Sequence, residues 1–327
     1  MVGKLADTHH GSLFEVERTR RAVMSASKMK VRFQNDDVPY PLSLLRGRLR
    51  LSGLQDTEVA GIIAGSIASH PSSKSWTEED LVNSIERTLQ EYPPRMRENF
   101  QLLTAYEQAR GLSDSNQSLI LVLEGASATG KSMLAMELLQ DFAATRFIST
   151  DTVRQVIRGI YTKQTHPELY CHTYQAHKYR KSGDPSLNPV IRGFIAQSEL
   201  VMPHVQDLAG RILEEGAIAI IEGVHVQPGS LASMGANVIE VIINPSSKTH
   251  RAMFLNKHAT GKLRTVSENK FLRTKEYEDT RIIQDYIVAC ALKYGVSVVE
   301  MESYETAHTE ISRLVIERIR NLVEAHD

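Results

Sequence analysis

Three observations predict an α/β fold class for this chain of 327 residues. Short β-branched and apolar runs recur between helical segments from residue 118 onward, the pattern of strands joined by helical crossovers. A glycine-rich turn, Gly125 to Ser132, directly follows the first of those runs. Before Pro93-Pro94, apolar residues recur at helical spacing, which sets a smaller helical domain ahead of the sheet. Together they describe a three-layer P-loop NTPase domain with a five-stranded parallel sheet, preceded by a small helical domain.

In chain order, residues 1–27 show no clear period and form an N-terminal arm that carries Arg18, Arg20 and Arg21. Residues 28–95 form the helical domain, with a helical pattern from Lys30 to about Tyr92. Val59, Ile62, Ile63 and Ile67 share one face. So do Leu81, Ile85 and Leu89, after the capping sequence Thr77-Glu78-Glu79-Asp80. Pro93-Pro94 ends this unit. Residues 96–117 are a helical linker: a helix from Phe100 to Ala109, then the polar loop Leu112 to Gln117. The second domain, 118–327, has expected strands at Leu119–Glu124, Arg146–Thr150, Ala217–Glu222, Val238–Ile243 and Val296–Glu300. Strands spaced by helices imply right-handed crossovers and hence a parallel sheet.

Composition narrows the function classes. The chain is 42% hydrophobic and 24% charged, with net charge -1 and a pI near 6.9. No global electrostatic case exists for nucleic acid or an anionic membrane, so both are disfavoured as partners. Cys171 and Cys290 are far apart and fit neither a disulfide framework nor a cysteine zinc site. No apolar run approaches the ~20 residues of a membrane span. The expected location is cytoplasmic, and the oligomeric state, a homo-oligomer included, is left open.

Gly125, Ala126, Ser127, Ala128, Thr129, Gly130, Lys131 and Ser132 fit G-x-x-x-x-G-K-[ST] at every fixed position. Glycines let the backbone curl until several amide N–H groups point at one spot, and the following helix adds its positive end. With Met133, these residues are the expected ATP-binding set. Lys131 supplies a mobile cation, and Ser132 is placed to hold the Mg²⁺ between the β- and γ-phosphates. The helix after the loop carries an apolar stripe of Met133, Leu134, Met136, Leu138 and Leu139.

Ligands of an open parallel sheet collect beyond the carboxyl ends of its strands. After the second run, Asp151, Arg154 and Arg158 recur at spacings of three and four, on nearly one helix face. Asp151 is expected to hold or deprotonate an attacking hydroxyl, and Arg154 to grip an anionic substrate bidentately. The third run ends in Glu222-Gly223-Val224-His225, a Walker B-like carboxylate for Mg²⁺, held directly or through water. His225 lies at the same rim and is read as a hydrogen-bonded structural group. Between Arg251 and Arg281, Lys257, Lys262, Arg264, Lys270, Arg273 and Lys275 mark a basic lid over the triphosphate, with Arg281 its catalytic candidate. His166, Cys171, His172 and His177 match no zinc spacing and are read as part of a substrate-side insertion.

The second domain resembles the 2-phosphoglycerate kinase family, best known from archaea. The likeness rests on Gly125–Ser132, on Ser149-Thr150-Asp151-Thr152-Val153-Arg154, on Thr173-Tyr174-Gln175-Ala176-His177-Lys178, on Ile220 to Gly229 and on Arg281-Ile282-Ile283-Gln284-Asp285-Tyr286-Ile287. The first domain is similar to the ATP-cone module such kinases carry, through Pro39-Tyr40, Leu44-Leu45, Leu49 and Gly53. Leu42, Ser43 and Gly47 stand where that pattern has Lys, Gly and Arg. The resemblance implies transfer of the γ-phosphoryl group of ATP to the 3-hydroxyl of 2-phosphoglycerate. Lys131 and Ser132 would then bind Mg·ATP, Asp151 and Arg154 would meet the acceptor, and Glu222 would complete the metal site. An acceptor with a phosphate and a carboxylate suits a cluster of Arg154, Arg158 and Lys178, with Arg180 or Arg192 beside it. Two alternatives stand beside this reading: a kinase for another polyanionic acceptor, an inositol phosphate or a polynucleotide end, and a nucleotide-sensing protein that phosphorylates nothing.

Overall fold

The structure is a computed structural model, and it describes residues 29–33, 36–69, 76–110, 118–256 and 269–324. The N-terminal arm, the Leu112–Gln117 loop, and Lys257, Lys262 and Arg264 of the expected lid lie outside the described residues. The chain divides into two compact units, Met1–Glu107 with Gln140–Ala143, and Gln108–Leu139 with Ala144–Asp327. No helix among the described residues is long and apolar enough to cross a membrane.

The described residues of the first unit begin with an antiparallel pair of strands, which corrects the helical reading from Lys30. β1 (Lys30–Phe33) pairs antiparallel with β2 (Asp36–Pro39), Val31 facing Val38. Met29 and Val31 are buried while Lys30 and Arg32 are exposed, the alternation of a half-buried strand. Four residues are too short a run for that period to stand out in sequence. Helices follow at α1 (Ser43–Leu51), α2 (Asp56–Ser69) and α3 (Glu78–Thr88). Thr77 caps α3 through a capping box with Asp80. The last helix, α4, spans Pro94–Arg110, so Pro94 starts a helix instead of preceding a break. The first turn is where a missing N–H costs least. Leu45, Leu49, Ile62, Leu81, Ile85 and Phe100 form the core.

The described residues of the second unit build a five-stranded parallel sheet from β3 (Leu119–Glu124), β4 (Arg146–Ser149), β5 (Ile218–Gly223), β6 (Val238–Asn244) and β7 (Ser297–Glu300), in the order β4-β5-β3-β6-β7. The intervening helices are α5 (Lys131–Asp141), α6 (Thr150–Ile157), α7 (Pro189–Glu214), α8 (Ser247–Leu255), α9 (Lys270–Tyr294) and α10 (Tyr304–Glu324). Ile120 and Val122 pack with Val153 of α6 and Val201 and Val205 of α7. Leu119, Leu121 and Leu123 point to the opposite face and are equally buried, so both faces are covered. Strands buried on two sides read as continuous apolar runs, which is why the sequence alone reveals β3, β5 and β6.

Glu124 is a carboxyl group within that core. It is fully buried at the end of β3, and burial first, then the charge of Glu240, push its carboxyl well above the usual range. Glu240 itself accepts backbone N–H groups from Gly229, Leu231 and Ala232. The folded chain thus keeps a proton on Glu124 that the unfolded chain releases above the ordinary value of 4.5. Folding takes up that proton, so stability falls as pH rises from there toward the folded pKa. Glu124→Gln, which mimics the protonated acid, is expected to raise the melting temperature at pH 8 by about 2–4 °C, the shift that ~1 kcal/mol produces in a domain of this size. The gain should shrink as pH approaches 5; a uniform gain or a loss at pH 8 would contradict the assignment.

Candidate active site

The parallel register brings the carboxyl ends of the strands to one edge. Glu222 of β5 lies opposite Ser149 of β4 and Leu123 of β3, so the turns after β3 and β4 flank it. The turn after β3 is the phosphate loop. Gly130 has φ +94°, and a Cβ there would lie 3.0 Å from the Met301 methyl, so only glycine fits without strain. Gly223 is needed for another reason: a Cβ would fall 1.8 Å from Thr150 Oγ1.

Lys131 is buried at the start of α5. Its Nζ donates to the Ala126 carbonyl at 3.3 Å and lies 3.9 Å from Glu222 Oε2. Ser132 Oγ donates to the same Glu222 oxygen at 3.0 Å. Lys131, Ser132 and Glu222, three of the residues singled out in sequence, therefore meet at one point. Met133 is exposed on α5.

Two residues to which the sequence assigns no role brace the loop. Gln284 of α9 is fully buried; its Oε1 accepts the Ala126 N–H at 2.8 Å while its Nε2 donates to the Ile243 carbonyl at 3.1 Å. His250 of α8 bonds the Ser127 carbonyl through Nε2 at 2.8 Å, and burial lowers its pKa. A carbonyl can only accept, so Nε2 carries the proton. The one signal for Gln284 is its place in the Arg281–Ile287 motif; His250 has none.

Asp151 is the second residue of α6. Its side chain is 65% exposed and accepts from Arg154 Nη2 at 3.0 Å. Burial of the surrounding site pushes the carboxyl up, but the positive field of Arg154 and Lys131 and the hydrogen bond from Arg154 outweigh it and bring the group down to about 2. Arg154 is used differently from the bidentate substrate grip the spacing suggests. Its Nη1 donates to the Leu169 and Cys171 carbonyls at 3.1 and 2.6 Å, and Nη2 is spent on Asp151. Arg158 likewise bonds the Leu169 carbonyl through Nε and Nη2 and stacks on Tyr170. Both guanidinium groups thus hold the insertion after α6, because its short 3-10 turns Pro167–Tyr170 and Thr173–Lys178 leave backbone carbonyls facing inward. Lys178, at the end of the second turn, is exposed.

His225 is a structural imidazole, fully buried, with Nδ1 2.9 Å from Thr150 Oγ1 and Nε2 3.0 Å from Gln197 Oε1. Burial brings its pKa down to about 3. In the expected lid, Arg273 is buried against Glu276, the Phe254 carbonyl and the Phe254 ring, so it packs the base of α9 instead of reaching solvent. Arg281 pairs with Asp285 at 2.7 Å and donates to the Pro245 carbonyl at the end of β6. The structure does not bring it into contact with Lys131 or Glu222. Among the described residues, no cluster of three or more His, Cys, Asp or Glu side chains converges on a metal position.

A phosphate loop after the first strand of a parallel sheet, with a carboxylate at the adjacent strand end, is the nucleotide site of a P-loop fold, and the chain is an ATP-dependent phosphotransferase of the P-loop kinase class. Within that class the chain resembles the 2-phosphoglycerate kinases. It is 26% identical to the enzyme of that name from Methanopyrus kandleri over 291 residues, 87% of this chain and 86% of the relative. To the one from Thermococcus kodakarensis it is 27% identical over 310 residues, 92% of this chain and 98% of the relative. No family model matches the chain. Among solved structures, it is similar to shikimate kinase from Acinetobacter baumannii in complex with shikimate, at 10% identity and a TM-score of 0.37, over 63% of this chain and 95% of that one. A putative kinase from Chloroflexus aurantiacus aligns at 14% identity and a TM-score of 0.37, over 62% and 98%.

Proposed function

We propose that this enzyme moves the γ-phosphoryl group of ATP onto the 3-hydroxyl of 2-phosphoglycerate. The hydroxyl oxygen attacks the γ-phosphorus, the bond from that phosphorus to the β,γ-bridging oxygen breaks, and ADP leaves with that electron pair. The products are ADP and 2,3-bisphosphoglycerate, and the hydroxyl proton passes to solvent or to Asp151. The convergence of Lys131 and Ser132 on Glu222, which lies opposite Ser149 just before Asp151, carries this reading. Relatives that share most of the chain's length carry the name 2-phosphoglycerate kinase, which supports this reading.

Lys131 neutralises charge on the transferring group, and the loop amides hold the phosphates. Ser132 Oγ and Glu222 Oε2 meet there, and such a pair suits Mg²⁺, an ion that keeps several waters and takes its other ligands from phosphate. When bound, that ion screens the charge shared between the β- and γ-phosphates. Asp151, held ionised by its cationic neighbours, accepts the acceptor's hydroxyl and aims it. A carboxylate brought down to about 2 is a weak base, which suits a loose transition state that needs positioning more than proton removal. Arg154 fixes Asp151, and the exposed Lys178 offers its ammonium to the acceptor's anionic groups.

The test is ADP release from Mg·ATP over 2-phosphoglycerate, 3-phosphoglycerate, inositol phosphates and a 5′-hydroxyl oligonucleotide. The highest kcat/KM is expected with 2-phosphoglycerate. Preference for another acceptor would overturn the substrate, and ATP binding with no acceptor-dependent turnover would favour a nucleotide sensor.

A further inference from the structure

We infer that Thr150, His225 and Gln197 form a buried positioning relay that registers the acceptor-side insertion against Asp151. This inference rests on the phosphotransfer reading above and extends it to residues that touch neither nucleotide nor acceptor.

The directions of the hydrogen bonds follow from chemistry. Gln197 Nε2 donates to the Glu168 carbonyl at 2.5 Å and sits 3.5 Å from the Cys171 carbonyl. Its Oε1 therefore faces Thr173 Oγ1 at 2.7 Å and His225 Nε2 at 3.0 Å, and must accept from both. The imidazole then carries its proton on Nε2 and accepts the Thr150 hydroxyl at Nδ1, 2.9 Å away. Its neutrality is secured by complete burial, which disfavours the imidazolium.

The relay runs parallel to a second strut. Arg154 joins Asp151 to the carbonyls of Leu169 and Cys171. Two independent connections thus run from consecutive residues, Thr150 and Asp151, to the segment Glu168–Cys171. One passes through a cation and the other through neutral groups. Two anchors ending side by side at Thr150 and Asp151 fix the distance and angle of the Asp151 carboxylate to the acceptor lip, which is what in-line transfer requires. Gly223 belongs to the arrangement, since a Cβ there would occupy the place of the Thr150 hydroxyl.

The experiment compares Thr150→Val with Thr150→Ser, and Gln197→Met with the double variant Thr150→Val/Gln197→Met, in the full-length enzyme. Acceptor kcat/KM, the Kd for ATP and the melting temperature are measured for each. Loss of the hydroxyl is expected to lower acceptor kcat/KM by about 10- to 100-fold, in the range set by one or two buried hydrogen bonds, with the Kd for ATP within about twofold. Thr150→Ser should restore most of the activity, and the double variant should lose little more than the worse single one, because the groups act as one chain. Additive losses, a parallel loss of ATP affinity, or a serine variant as impaired as the valine one would overturn the relay. A wild-type enzyme inactive on 2-phosphoglycerate would instead overturn the substrate reading. If Thr150→Val fails to fold, Gln197→Met breaks the same chain of bonds and is held to the same expected loss in acceptor kcat/KM at unchanged ATP affinity.

Discussion

Lys131→Ala is expected to lower kcat by about 10³-fold, the scale on which a cation at the transferring phosphoryl group acts in enzymes of this class. The ammonium is buried at the start of α5, bonded to the Ala126 carbonyl and 3.9 Å from Glu222. Charge builds on the phosphoryl oxygens in the transition state, and a site closed to water makes one positive charge worth far more than it is in solution. Removing it also leaves Glu222 with Ser132 as its local partner. The loop itself should persist, because Gln284 and His250 hold the Ala126 N–H and the Ser127 carbonyl independently of the lysine. The expected signature is therefore a collapsed kcat with a melting temperature close to wild type. Lys131→Arg should not rescue, since a planar fork does not replace a compact ammonium in a buried loop. Steady-state ADP release and a thermal melt check both parts. Retention of more than about a tenth of wild-type kcat in the alanine variant would remove Lys131 from the chemistry.

Asp151→Asn is expected to cost about 10²-fold in kcat while leaving the Kd for ATP nearly unchanged. The amide keeps one acceptor oxygen but has only one to divide between Arg154 and the substrate hydroxyl, whereas the carboxylate serves both. The pH dependence separates aiming from proton removal. A carboxyl brought down to about 2 stays ionised at every higher pH, so activity that needs the anion is complete above about pH 4 and is lost only as pH falls toward 2. Between pH 5 and 8 the wild-type kcat/KM should show no acid limb that disappears in the asparagine variant. A limb near neutrality that the substitution abolishes would make Asp151 a base with a raised pKa, contrary to the field of Arg154 and Lys131 around it.

The phosphate loop, Glu222 and Asp151 are legible in the sequence because their signals are local. Lys131 and Ser132 stand at fixed spacing from Gly125, and an apolar run followed by an acid marks the end of a buried strand. The strand pair Lys30–Phe33 and Asp36–Pro39 escapes because four-residue strands carry too little periodicity. The bonds Arg154 makes are not legible in the sequence for a different reason. Helical spacing shows which way a side chain leaves the helix but not what meets it, and the 167–173 segment offers its backbone carbonyls there. Charge alone places Arg273 among the lid cations, yet Glu276 one turn on and the Phe254 carbonyl keep it inside.

By itself, then, the order of residues determined the sheet, the anion-binding turn and the carboxylates at the strand ends, since each depends on neighbours within a few positions. Tertiary structure alone decided that Gln284 and His250 brace the turn across more than 100 residues of chain, and that His225 and Gln197 tie the insertion to Thr150. Buried polar groups must find partners wherever the fold brings them. Those partners are fixed by packing between distant segments, which no local pattern encodes.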